Sequence, residues 1–378
     1  MRKLAGVLAG LLAAGLVIGF SGGASAAGPD VVLTGPGQSA DANVRTFGAD
    51  GSAGSTSFIA NGTDQSGVSV ASGDVNGDGT PDIVTGTGPG LEAQVQVWSH
   101  DGKTLIAQDN PFPGFQGGIS VAVANEDSTA QLEVIVAAGP GGGPHVKVLA
   151  LSNGSLVDEA SFMAYDPNFH GGVFVAGTTG KVITGAGAGG GPHVRVFSIA
   201  NGQASVSAEW MAYDPKFTGG VHVAAGPVRS SSTPDVVTGA GAGGGPHVKL
   251  WSVAGAEGPG LMAYDTSFTG GVFVAVGPAQ RLITGAGAGG GPHVKVLTYS
   301  AVNSAFTTAA SFMAYTPTFS GGVHVAGIPA ATTPPTTTTT SAGGGSTTST
   351  TACTGIPPIC LPAGSASAST TSTTVAPA

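Results

Sequence analysis

The feature that most limits what this chain can fold into is its internal repetition. Gly-Gly-Pro-His-Val-Lys-Val at 142–148 recurs in variant form around His193, His247 and His293, at intervals of 48, 54 and 46 residues. A second run, Met-Ala-Tyr-Asp-Pro-x-Phe-x-Gly-Gly-Val, recurs around Tyr165, Tyr213, Tyr264 and Tyr315, at intervals of 48, 51 and 51. One unit is thus about 50 residues, the period of a propeller blade. Within the unit from Val173, the Val, Ile, Phe and Thr clusters predict four short strands at 173–176, 181–184, 193–197 and 207–213, separated by glycine-rich breakers. A lone four-stranded sheet cannot cover both of its faces, so such units must stack on one another.

Units begin near Val68, Ile119, Val173, Val221 and Val272, and a sixth starts at Val323 but stops after one strand, 323–327. The missing strands lie at the other end. Pro29–Gly35 matches Pro234–Gly239, a second strand, and Asn43–Phe47 matches His193–Phe197, a third. Phe58–Ala60 supplies a fourth. The sequence therefore predicts an all-β, six-bladed propeller of four-stranded blades over residues 27–330, with segment 29–67 completing the blade that 323–327 begins. An open solenoid of five units is the alternative.

The ends read differently. Arg2 and Lys3, the apolar run 4–20 and the small residues Ala24-Ser25-Ala26 have the pattern of a signal peptide over 1–26, against the alternative of a membrane anchor. From 331 to 378 the chain turns to Thr, Ser, Pro and Ala, a composition that cannot bury a core and reads as a disordered or extended stalk. Cys353 and Cys360, the only cysteines, lie within it; in an exported chain a local disulfide is expected, with free thiols or pairing between chains as alternatives. The chain has 12 Lys and Arg against 21 Asp and Glu, a net charge of −9, which disfavours nucleic acid and anionic lipid as partners. No later stretch predicts stable membrane insertion, and a monomer is expected.

Val68–Gly86 contains Gly73-Asp74-Val75-Asn76-Gly77-Asp78-Gly79-Thr80-Pro81-Asp82-Ile83-Val84. This segment resembles the FG-GAP and VCBS repeats, which build the propellers of integrin α subunits and of many secreted bacterial proteins; the likeness extends more weakly over about 30–327. It implies a binding scaffold and leaves the ligand open. Alternating Asp74, Asn76 and Asp78, the Thr80 carbonyl and Asp82 are hard oxygen donors at a spacing suited to a structural Ca²⁺, with strands rather than helices at the flanks. The alternative is an Asx-rich turn without metal. Asn125-Glu126-Asp127 resembles a degraded version in the next unit.

Other residues occur once per unit. His145, His193, His247 and His293 share one position, taken by Asn43 and Gln94 elsewhere, so hydrogen bonding is favoured over ligand contact or a metal. Arg45, Lys147, Arg195, Lys249 and Lys295 either pair with repeat carboxylates such as Asp166, Asp214 and Asp265 or ring an anionic ligand. The repeated tyrosines and Phe169, Phe217, Phe268 and Phe319 suit packing between blades better than sugar binding. The GxGxxG run at 185–190 leads into a proline and a strand, not a helix, and is a hairpin rather than a nucleotide loop. No GxSxG or HExxH motif is present. The expectation is a secreted, non-enzymatic binding or adhesion module for an extracellular protein or glycan. A calcium-dependent hydrolase or lyase, and a structural envelope protein without a specific ligand, are the alternatives.

Overall fold

The computed structural model describes residues 30–126 and 131–332. The signal segment 1–26, both cysteines, Asp127 and all but the first two residues of the stalk lie outside these.

The described chain forms 24 strands arranged as six four-stranded sheets. The first three strands are β1 (Asp30–Pro36), β2 (Asn43–Gly48) and β3 (Ala53–Ile59). The next blade comprises β4 (Val68–Gly73), β5 (Asp82–Thr87), β6 (Val95–Trp98) and β7 (Leu105–Asp109). The third comprises β8 (Ile119–Ala124), β9 (Glu133–Ala138), β10 (His145–Ser152) and β11 (Ser155–Met163). The fourth comprises β12 (Val173–Thr178), β13 (Lys181–Ala186), β14 (His193–Ala200) and β15 (Gln203–Met211). The fifth comprises β16 (Val221–Gly226), β17 (Asp235–Ala240), β18 (His247–Ser252) and β19 (Glu257–Met262). The sixth comprises β20 (Val272–Gly277), β21 (Arg281–Ala286), β22 (His293–Ser300) and β23 (Ala305–Met313), followed by β24 (Val323–Gly327). All five internal blades start where the repeat places them.

The remaining sheet has the order β24-β1-β2-β3. Val325 lies opposite Thr34 and His324 opposite Gly35 in an antiparallel ladder. The two ends of the described chain thus complete one blade, and the ring is closed. Closure leaves no blade without a neighbour on either side.

One sequence expectation was too short. The strand clusters of the unit from Val173 predict 198–206 between strands, whereas β14 and β15 pair through Ala200 and Gln203. Asn201 and Gly202 turn the chain at φ of 51° and 73°. Asn-Gly is the pair that a tight hairpin with two left-handed residues selects, so the outer strands extend to it.

Packing follows from the pattern of the second strands. β5, β9 and β17 are buried at every residue, so both faces of each sheet need cover. Cover comes from the adjoining blade: Val84 and Val97 of one sheet pack in a common cluster with Val121 and Val136 of the next. The Thr-Gly pair in five of the second strands sets how close neighbours come. A Cβ on Gly185 would collide with the backbone carbonyl of Val221 on the following blade. Val323, Val325 and Ile328 are similarly buried at the closing seam.

A chain ending at Gly322 should therefore lose roughly 5 kcal/mol or more, taking about 1.5–3 kcal/mol for each large buried side chain removed. Denaturant unfolding would show this as a lower midpoint; an unchanged midpoint would mean that the seam contributes nothing.

Candidate functional site

Three sets of repeat residues compete as functional sites. The first is the acidic loop between β4 and β5. It curls as its alternating carboxylates require: Asp74 accepts from the N–H groups of Gly77, Asp78 and Gly79 at 2.8, 3.1 and 2.8 Å. Asp78 accepts from Thr80 N–H at 2.7 Å and from Asn76 Nδ2 at 3.1 Å. Asp82 is buried and accepts from Val75 and Asn76 N–H at 3.0 and 3.1 Å. Burial, opposed by these two hydrogen bonds and reinforced by Asp78 and Asp74, pushes the Asp82 carboxyl up to about 7. No Lys or Arg among the described residues forms an ion pair with the three. In this arrangement the oxygens face backbone donors, and among the described residues no three His, Cys, Asp or Glu side chains gather as a metal centre.

The equivalent position three blades on shows what such a carboxylate needs. Asp235, like Asp82, opens a second strand and is hydrogen-bonded by the turn before it, from Val228 and Arg229 N–H at 3.3 and 2.8 Å. Its other oxygen pairs with the Arg229 guanidinium at 2.6 and 2.8 Å. One repeat thus carries its own cation, whereas the other presents three acids and none. The donor set at Asp74–Asp82 therefore fits a hard divalent cation.

The second set is the repeated His, cation and Tyr. The structure turns these into a latch between blades. Tyr165 bonds Thr184 Oγ1 at 3.0 Å and donates to the His193 carbonyl at 2.9 Å, both on the following blade. Tyr213, Tyr264 and Tyr315 repeat this with the carbonyls of His247, His293 and Asn43, at 2.9, 2.9 and 2.8 Å. The cation of the following blade reaches back. Arg195, Lys295 and Arg45 donate to the carbonyls of Ala164, Ala263 and Ala314 at 2.9, 2.8 and 2.8 Å. Each also sits over the tyrosine ring. The carboxylates these cations meet are on the fourth strands: Asp158 for Lys147, Glu209 for Arg195 and Glu257 for Lys249. Asp166, Asp214 and Asp265, expected as partners, instead cap their own turns by accepting from Asn168, Lys216 and Ser267 N–H. They sit after the fourth strand, where the chain needs a turn more than a counter-ion.

The imidazoles of His193, His247 and His293 lie against Tyr165, Tyr213 and Tyr264, with centroids 5.2–5.6 Å apart. His145 packs against Phe112. His145 and His293 hydrogen-bond Ser161 and Ser311 at 2.7 Å, and His193 reaches Glu209 at 3.2 Å. Burial, then the neighbouring cation, lowers the pKa of each of His145, His193, His247 and His293. Their geometry is that of hydrogen-bonded packing residues. Tyr264→Phe should cost about 1–2 kcal/mol, since it leaves the His293 carbonyl and Thr284 short of a donor. Thermal unfolding would register the loss, and a neutral result would remove the latch from the account.

The third set was not singled out from the sequence. The second residue of each innermost strand lines a central channel: Ser69, Ser120, Phe174, His222, Phe273 and His324. The signal was present in the repeat, as the variable residue between paired apolar positions in Val68-Ser69-Val70, Val221-His222-Val223 and their equivalents. His222 packs edge-on to Phe174 at 4.4 Å and face-on to Phe273 at 4.2 Å, and Phe273 stacks on His324 at 4.3 Å. Burial pushes the His222 and His324 imidazoles down to about 4. Among the described residues, no Asp, Glu, Lys or Arg lines the channel.

A lowered imidazole pKa stabilises the fold above the unfolded value near 6.5, and that stability is lost as pH falls through the folded value near 4. For His222, which is 9% exposed, the shift corresponds to roughly 3 kcal/mol. The wild-type midpoint should therefore fall more between pH 6.5 and 4 than that of His222→Phe; parallel curves would show that the ring is not held neutral.

Residues 66–99, covering the acidic loop, match the FG-GAP repeat family. No curated protein matches the chain. Among solved structures, a Lactobacillus plantarum protein is similar at 11% identity with a TM-score of 0.43, over 78% of this chain and 99% of that one. A putative 6-phosphogluconolactonase from Bacteroides uniformis is similar at 12% identity and a TM-score of 0.43, over 75% and 83%. A chain of the mitotic checkpoint complex is similar at 13% identity and a TM-score of 0.45, over 87% and 99%. Six closed four-stranded blades make this protein a β-propeller, and the repeat that carries its acidic loop matches the FG-GAP family.

Proposed function

We propose that the protein is an exported, non-enzymatic binding scaffold whose acidic loop takes one structural Ca²⁺. The observation that carries the calcium reading is the contrast between Asp235, neutralised by Arg229, and Asp82, which shares its loop with Asp74 and Asp78 and has no basic partner among the described residues. Asp74, Asn76, Asp78 and Asp82 side chains with the Thr80 carbonyl would hold the ion. Bound there, it would supply positive charge to the β4–β5 turn and fix that turn on its blade.

The loop also meets the closing seam. After β24, Ile328 N–H donates to the Val31 carbonyl at 3.1 Å and Thr332 N–H to the Gly79 carbonyl at 2.8 Å. A cation that orders the loop would therefore also fix where the Thr/Ser/Pro-rich segment departs. Export is supported by the signal-peptide pattern of 1–26, and the described residues contain no helix long and apolar enough to cross a membrane. The scaffold reading draws on the FG-GAP propeller and on a channel wall without charged side chains. The partner it fits is an extracellular protein or glycan.

Thermal unfolding in calcium and in chelator tests the loop. Binding to the native state alone at about 100 times Kd adds about 2.7 kcal/mol. Calcium should raise the wild-type midpoint by several degrees and leave that of Asp78→Ala unmoved. A wild-type midpoint that ignores calcium would sink the assignment.

A further inference from the structure

The central channel holds an incomplete circle of rings. Six equivalent positions face it, one per blade, and four successive ones carry Phe174, His222, Phe273 and His324. These rings touch in sequence at centroid distances of 4.4, 4.2 and 4.3 Å. On the remaining two blades the position is Ser69 and Ser120, and the ladder stops, leaving Phe174 and His324 at its two ends. The channel encloses about 530 Å³, within the size range of small-molecule sites, about 300–1,000 Å³.

The polar groups at the gap are few and have defined roles. Ser69 donates its hydroxyl to the Ile119 carbonyl at 2.7 Å, so that proton is already used. Ser120 Oγ accepts from Val175 N–H at 3.2 Å, which leaves its own O–H without an acceptor among the described residues. His222 donates from Nδ1 to the Val272 carbonyl at 2.8 Å and is fixed in place by it. No hydrogen bond from a described residue reaches either nitrogen of His324. As a neutral imidazole it offers one acceptor and one donor beside the gap. The rest of the described wall is valine, isoleucine, alanine, glycine and proline with a few uncharged polar residues, and no described charged side chain lines it.

We propose that the channel binds an uncharged, planar aromatic small molecule bearing a hydrogen-bond donor, whose ring fills the Ser69–Ser120 sector and completes the ladder between His324 and Phe174. Its flat face on His324 continues the face-on contacts of the His222–Phe273 and Phe273–His324 pairs. Its donor meets the His324 acceptor. A charged ligand would lose its hydration against a wall that returns no counter-charge.

The test uses the full secreted chain with three probes: indole, 1-methylindole, which lacks the donor, and indole-3-carboxylate, which is charged. Calorimetric titration should give one indole per molecule, with 1-methylindole and indole-3-carboxylate each at least tenfold weaker. His324→Phe, with its fold checked by circular dichroism, should bring indole and 1-methylindole within about twofold. Crystals of the wild-type protein soaked in indole give a readout that needs no variant, and the ring should lie in the Ser69–Ser120 sector. Absence of saturable indole binding, equal wild-type affinity for indole and 1-methylindole, carboxylate binding as tight as indole, or an indole seated elsewhere would each overturn the proposal.

Discussion

Everything in this structure depends on the need of each four-stranded sheet to hide two apolar faces. A second strand such as Asp235–Ala240 is buried along its whole length, so no blade is stable by itself. Each takes its cover from the next, and the ring must close or leave one face in water. Residues that look decorative in a single repeat have their reason at this interface. Gly185 is a glycine because the neighbouring carbonyl of Val221 occupies the space a side chain would need. Thr184 is buried beside it because the tyrosine of the preceding blade bonds its hydroxyl. The latch is reciprocal: Tyr165 donates forward to the His193 carbonyl while Arg195 donates back to the Ala164 carbonyl.

The latch also accounts for the ring of histidines and cations. Four imidazoles at one repeat position invite a metal or an anion, and four cations two residues on invite a ligand. Geometry assigns them to each other's surroundings instead: His193, His247 and His293 pack at a tilt against tyrosines, and Arg195 and Lys295 sit over such tyrosines and donate to backbone carbonyls. The repeats differ where the latch does not reach. At the turn into the second strand, the fifth blade neutralises Asp235 with Arg229, whereas the second blade gathers Asp74, Asp78 and Asp82. That asymmetry, in an otherwise regular ring, is what gives one loop its proposed calcium, and the Thr332 contact to Gly79 sets that loop beside the seam that closes the ring.

Much of the fold was legible in the sequence because a propeller writes its period into the chain. Blade starts at Val68, Ile119, Val173, Val221 and Val272, and the split blade completed by 30–59 and 323–327, all follow from aligning the repeat with itself. The hairpin through Asn201-Gly202 was missed because Asn201, Gln203 and Ser205 interrupt the apolar pattern that marks a strand. The partners of the repeated cations were misjudged for a related reason. Spacing places Lys147 and Asp166 in one unit, but only the register of β10 against β11 brings Asp158 beside that lysine. The channel wall was hidden by its variability. Serine, phenylalanine and histidine alternate at one position, and no pattern of types reveals that six of them meet at an axis until the blades are closed around it.

If the proposed ion binds, equivalent turns in this ring obtain their positive charge in two ways, from Arg229 in one blade and from a solvent cation in another. A crystal structure of the protein grown with calcium tests it most directly. The account predicts one ion with oxygen ligands from Asp74, Asp78 and Asp82 at about 2.3–2.6 Å, and none beside Asp235. Carboxylates still turned to their backbone N–H groups with no ion between them, or an ion at Asp235, would contradict it.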